Sequence, residues 1–93
     1  MKKRIMTEAT LIARINAAIP EAQAVSGFEW DERKEGSGLI WLRGSGRWVD
    51  GRLVFDHYAE QDVHPTLQAV LDKAPGWIAE PNDAETLLLY RLR

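Results

Sequence analysis

The chain has 93 residues, of which 45% are apolar and 28% charged, with a formal net charge of −2 and no cysteine. This length predicts one domain over residues 1–93, and the composition excludes a disordered chain. Cysteine-based chemistry is excluded, and no apolar run reaches the ~20 residues needed to cross a bilayer. We therefore expect a soluble cytoplasmic protein with no membrane partner and no signal peptide.

The charge is unevenly distributed along the chain. Residues 50–85 contain eight acidic and only two basic side chains, so this segment is acidic and the rest of the chain is basic. Proteins that bind phosphate backbones without sequence preference usually carry a larger basic excess. Nucleic acid is therefore not the expected default partner.

The first predicted element is a helix that begins after Thr7 and ends at Pro20. Thr7 suits the N-cap, Glu8 is favourable in the first turn, and proline cannot continue a helix. An apolar stripe at helical spacing supports the assignment, and its members are Leu11, Ile12, Ile15, Ala18 and Ile19. Residues 21–27 are predicted to be a loop.

Strands are predicted next. Phe28–Arg33 alternates between apolar and polar residues and should pair with Leu39–Arg43 across a glycine-rich turn. Asp50-Gly51 predicts a second hairpin, because a type I′ turn needs positive φ at both central residues. Gly44-Ser45-Gly46 is predicted to be a bulge or bend, and residues 52–58 a strand.

A second helix is predicted from Pro65 to Lys73, since proline suits the first helical position and a Pro-Gly pair follows. Residues 77–80 and 86–92 form a final predicted hairpin. The element order is α-β-β-β-α-β-β. It predicts an α+β fold, a two-layer sandwich in which two helices cover one face of a mainly antiparallel sheet.

Both histidines lie in VFDHYAEQDVH, together with three carboxylates. A metal site built from His57, His64 and Asp62 (or Glu60) is conceivable, but paired spacings such as HExxH are missing. We interpret the segment as a strand end followed by a helix cap, with no metal and no cofactor. The sequence also lacks the nucleophile-elbow motif G-x-S-x-G and the phosphate-binding motifs G-x-G-x-x-G and G-x-x-x-x-G-K-[ST]. We therefore assign no catalytic residue and do not expect an enzyme. Acid–base catalysis by two carboxylates stays open, because such a pair comes together in space and leaves no local sequence pattern.

Four tryptophans in 93 residues are the most unusual feature of the composition. Trp30 and Trp77 are predicted to pack in the core. Trp41 shares a strand face with Leu39 and Arg43, and that face either meets the helices or is exposed to solvent. Trp48 lies near the tip of the Asp50-Gly51 hairpin, beside Arg47, and it either covers the edge of the core or anchors a partner.

The leading hypothesis is therefore a small non-enzymatic protein-binding domain, an adaptor or modulator that uses an Arg/Trp surface on this hairpin. A second hypothesis is binding of single-stranded nucleic acid or RNA through exposed tryptophan and arginine. Metal-dependent activity around His57 and His64 is the third, and a homodimer through edge strands also remains open. The predicted binding residues are Arg43, Arg47, Arg52, Trp41 and Trp48.

Overall fold

The computed structural model describes residues 5–27, 38–56, 62–81 and 86–92. These residues form two α-helices, a short 3₁₀ helix at Pro20–Ala22 and eight strands. The helices are α1 (Glu8–Ala18) and α2 (Pro65–Asp72). The strands are β1 (Ala24–Ser26), β2 (Leu39–Leu42), β3 (Trp48–Val49), β4 (Arg52–Leu53), β5 (Phe55–Asp56), β6 (Asp62–Val63), β7 (Trp77–Pro81) and β8 (Leu87–Arg91).

The predicted α+β fold is confirmed. Four strands form one antiparallel sheet in the order β1-β2-β8-β7, and β3–β4 and β5–β6 form two small antiparallel ladders. The two helices pack against each other and share a core with the four-stranded sheet. The central strands β2 and β8 contribute alternate residues to that core. The large core side chains from the two helices and these two strands are Leu11, Ile15, Leu67, Ile40, Leu42, Leu87 and Leu89.

Both helix starts follow their predicted caps. Thr7 has extended backbone, and its hydroxyl accepts a hydrogen bond from the Thr10 amide over 3.2 Å. Ile19 donates to Ile15 O at the C-terminal end, and Pro20 then begins the 3₁₀ turn. His64 caps α2, with Pro65 in its first turn. Each start therefore satisfies one of the backbone amides that a helix leaves unpaired.

The predicted loop 21–27 is wrong in part, because residues 24–26 form the edge strand β1. Ala24 pairs with Leu42, and Ser26 pairs with Ile40. On the other side of β1, the Asn16 amide donates to Ala24 O and accepts from Ala24 N, both over 2.9 Å. The Asn16 side chain thus takes the place of a neighbouring strand at this edge of β1. The three-residue sequence AVS is too short to show the alternation that would predict a strand.

The Asp50-Gly51 hairpin is confirmed, with φ of 51° at Asp50 and 80° at Gly51 as a type I′ turn requires. The predicted continuous strand 52–58 is wrong within residues 52–56, because the chain bends at Val54 and its pairing partner changes, and residues 57–58 lie outside the described residues. Val54 N donates to Arg47 O within the hairpin, whereas Val54 O accepts from His64 N. The N–H and C=O groups of one strand residue point to the same edge, so their bonding to two different partners marks a break in the ladder at Val54.

The final hairpin is confirmed by the pairing of β7 with β8, in which Trp77 lies opposite Arg91. Trp77 is buried, as predicted, and its indole donates to Met6 O over 2.7 Å. The predicted hairpin strand Phe28–Arg33, Trp30 within it, and His57 lie outside the described residues.

Candidate functional site

The β3–β4 hairpin presents one face to the core and the other to solvent. Trp48 lies opposite Leu53, and Val49 opposite Arg52, so each pair shares a face of the ladder. Val49 packs against the core, which places Trp48 and Leu53 on the outward face. The Trp48 side chain is 67% exposed, the largest value among the exposed large apolar residues of the described chain.

The imidazole of His64 holds this hairpin to α2. Its Nδ1 accepts a hydrogen bond from the Thr66 amide over 3.1 Å, so Nε2 carries the proton and donates to Val49 O over 3.0 Å. His64 is only 5% exposed, and burial protects both bonds from competing water. The hairpin is therefore tied to the helix one residue before its turn.

The base of the hairpin is held by Ser45, which was predicted to lie in a bulge or bend. Its hydroxyl donates to Leu42 O over 2.6 Å and accepts from Leu87 N over 3.1 Å. Its carbonyl accepts from Phe55 N over 3.0 Å. Ser45 is 1% exposed and links β2, β5 and β8. Nothing in a Gly-Ser-Gly triplet distinguishes such a buried bridge from an exposed turn.

The five predicted binding residues separate into distinct environments. Arg52 lies on the face opposite to Trp48, and its guanidinium forms an ion pair with Asp62. Trp41 lies in the main sheet on the face away from Ile40 and Leu42, half-buried, and the Arg43 guanidinium lies 5.5 Å from the centre of its ring. The structure thus brings Trp41 together with Arg43, but it does not place Arg52 beside Trp48.

Arg47 is the predicted arginine that remains next to Trp48. It is exposed, and within the part of the chain that the structure describes its guanidinium has no hydrogen bond and no ion pair. Its backbone carbonyl is bonded to Val54 N over 2.9 Å, which anchors the residue at the base of the hairpin. A cation and an exposed indole therefore stand at successive positions on an anchored backbone.

The residues proposed for a metal are already engaged where they are described. Both ring nitrogens of His64 form hydrogen bonds, and the Asp62 carboxylate pairs with Arg52. A metal on His64 would have to replace the bond to Thr66 or the bond to Val49. Within residues 5–27, 38–56, 62–81 and 86–92, no group of three or more His, Asp or Glu side chains is placed to hold a metal ion.

No family model, curated protein or solved structure matches this chain. Neither of the two described helices is long and apolar enough to cross a membrane.

Proposed function

We propose that this chain is a small non-enzymatic protein-binding domain whose contact surface is the outward face of the β3–β4 hairpin, with Trp48 as its anchor. The observation that carries the proposal is the 67% exposure of an indole on a hairpin whose backbone is tied to both layers of the fold. An adaptor or modulator of another protein in the cytoplasm fits this arrangement, and a chain without cysteine is compatible with a reducing compartment.

Exposing the indole has a free-energy cost that a partner would remove. Burial of apolar surface is worth ~25 cal/mol per Å², and an aromatic side chain contributes ~150–250 Å². Tryptophan and arginine are also the residues most enriched among interface hot spots. Because the hairpin is already ordered by His64 and Ser45, a partner would not have to order the backbone around Trp48.

The chemistry of the surface indicates what a partner must supply. Trp48 and its cross-strand neighbour Leu53 require an apolar pocket or groove. Arg47 requires an acceptor, and a carboxylate at the rim of that pocket would match its planar donors. The expected partner surface is therefore apolar at its centre and acidic on one side.

Binding of single-stranded nucleic acid is the second candidate. An exposed indole can stack on an unpaired base, and an exposed guanidinium such as that of Arg47 can contact a phosphate. The half-buried Trp41 with Arg43 beside it offers a further ring and cation. The two candidates differ in salt dependence, since phosphate contacts release counterions and carboxylate contacts in a small interface do so far less.

The test is affinity capture from the source cell lysate, with and without nuclease, using wild type, Trp48→Ala and Ile78→Ala. Ile78 is the matched control, because it is an exposed apolar residue (38%) in β7, away from the hairpin. A stoichiometric protein that survives nuclease, is lost with Trp48→Ala and is retained by Ile78→Ala would support the proposal. Loss of the captured material on nuclease treatment would favour nucleic acid, and equal capture by all three proteins would contradict a site at Trp48.

A further inference from the structure

The outer surface of the helical layer carries an open groove between α1 and α2. The groove has a volume of about 530 Å³. Arg14 and Ala18 line it from α1, and these residues are one helical turn apart. From α2 and its C-cap residue the lining residues are Pro65, Thr66, Ala69, Val70 and Lys73.

The groove exists because small side chains occupy its middle. Ala18 and Ala69 are both exposed and end at Cβ, so neither fills the space between the two helices. Val70 lies deeper, half-buried against the core, and provides an aliphatic floor. The middle of the groove is thus apolar and shallow.

Its charged members are both cations, although the whole chain has a net charge of −2. Within the described part of the chain, the side chains of Arg14 and Lys73 have neither a hydrogen bond nor an ion pair. The neighbouring acid Asp72 does not line the groove and accepts a hydrogen bond from Gln68 over 2.8 Å. The groove therefore combines an apolar middle with two cations that have no carboxylate partner among the described residues.

We propose that this groove binds an acidic amphipathic helix of a partner protein. The lining along α2 and its C-cap runs from Pro65 to Lys73, eight steps that span ~12 Å at 1.5 Å per residue, about two helical turns. A partner helix would place apolar residues at i, i+3 or i+4, and i+7 against Ala18, Ala69 and Val70. Its Asp or Glu side chains would meet Arg14 and Lys73.

A helix suits the site better than a small molecule does. Sites for drug-sized ligands enclose most of the ligand surface, whereas this groove is open along its length and bounded by two helices. Two helices that pack side by side leave a furrow into which a third helix packs by the same ridges and grooves. The groove is lined by helical residues and not by the hairpin, so this inference does not depend on the function proposed for Trp48.

The experiment is a selection from a displayed library of 14-residue amphipathic helices whose apolar stripe is constant and whose polar positions are random mixtures of Glu, Gln and Lys. Three baits are compared: wild type, Arg14→Glu/Lys73→Glu, and Arg52→Glu/Arg91→Glu. The last is the matched control, because it makes the same change in net charge at exposed residues outside the groove. All substituted residues are exposed, and circular dichroism melts establish that the three baits remain folded.

The proposal predicts that wild type and the control select Glu-rich peptides, and that Arg14→Glu/Lys73→Glu binds them at least tenfold more weakly and selects Lys-rich ones. Amide NMR shifts from a selected peptide should centre on residues 14, 18, 66, 69 and 73. Selection without enrichment of Glu, equal binding by all baits, or shifts centred on Trp48 would overturn it. Shifts of the same amides that follow protein concentration without peptide would assign the groove to a second copy and would also overturn it.

Discussion

His64 Nε2 lies 3.0 Å from Val49 O, and this contact joins the N-terminus of α2 to the hairpin that carries Trp48. The same ring caps α2 through Nδ1, so one buried side chain serves the helix and the hairpin together. The histidine that first suggested a metal site therefore has a direct structural use. It also sets the position of the surface that we propose for partner binding.

Replacing His64 with alanine should destabilise the domain by about 2 kcal/mol. Loss of an N-cap costs ~1 kcal/mol, and loss of the bond to Val49 costs a similar amount. His64→Asn is the control, since asparagine restores the cap but is too short to reach Val49, and it should recover about half of the loss. Urea unfolding measures both variants, and an unchanged midpoint for His64→Ala would contradict the assigned role.

Removing the Ser45 hydroxyl should cost about 2 kcal/mol, although the substitution to alanine deletes only one atom. The Leu87 amide would lose its acceptor in a buried position, and an unsatisfied buried donor costs ~1–3 kcal/mol. Urea unfolding gives the change in stability, and hydrogen exchange at Leu87 localises it. Exchange that remains as slow as in wild type would show that another acceptor replaces the hydroxyl.

Substitution by alanine should destabilise the protein at one of the two glycines beside Ser45, Gly44, and have little effect at the other, Gly46. A Cβ on Gly44 would lie 1.8 Å from Glu21 O, so Gly44→Ala must separate the turn from the 3₁₀ segment and break the 2.8 Å bond from Gly44 N to Ala22 O. A Cβ on Gly46 meets nothing within 4 Å, and its φ is not positive.

We expect Gly44→Ala to lower the free energy of unfolding by ~1–3 kcal/mol or more, and Gly46→Ala to change it by less than ~1 kcal/mol. The measurement is the melting temperature of the two variants, which have the same amino-acid composition and differ only in the position of the alanine. Equal melting temperatures would contradict the close approach at Gly44.

Asn16→Ala should free the outer edge of β1 and destabilise the domain by about 2 kcal/mol, because both backbone groups of Ala24 lose a partner. Arg14→Ala is the control, since Arg14 is exposed on the same helix. Hydrogen exchange at Ala24 should accelerate in Asn16→Ala and remain unchanged in Arg14→Ala. Equal exchange in the two variants would mean that the edge does not depend on Asn16.

Local signals in the sequence determined the elements that local physics controls. Helix caps, prolines and the type I′ turn depend only on the backbone geometry of a few neighbouring residues. The helices and the hairpin therefore lie where they were predicted, from Thr7, Pro20, Pro65 and the pair Asp50-Gly51.

Contacts between distant residues decided the rest. Strand β1 exists because Asn16 and β2 satisfy its backbone, and the break at Val54 exists because His64 N binds its carbonyl. The buried bridge at Ser45 joins residues 42 positions apart. None of these leaves a periodic signal, since each depends on a single polar group from another part of the chain.

The candidate sites divide in the same way. The sequence predicted the hairpin and an aromatic near its tip, but only the register of the ladder placed Arg52 on the face opposite to Trp48, toward Asp62. The groove with Arg14 and Lys73 was not predicted, because those residues meet only when α1 and α2 pack side by side. Composition determines which side chains are available for binding, whereas tertiary packing determines which of them share a surface.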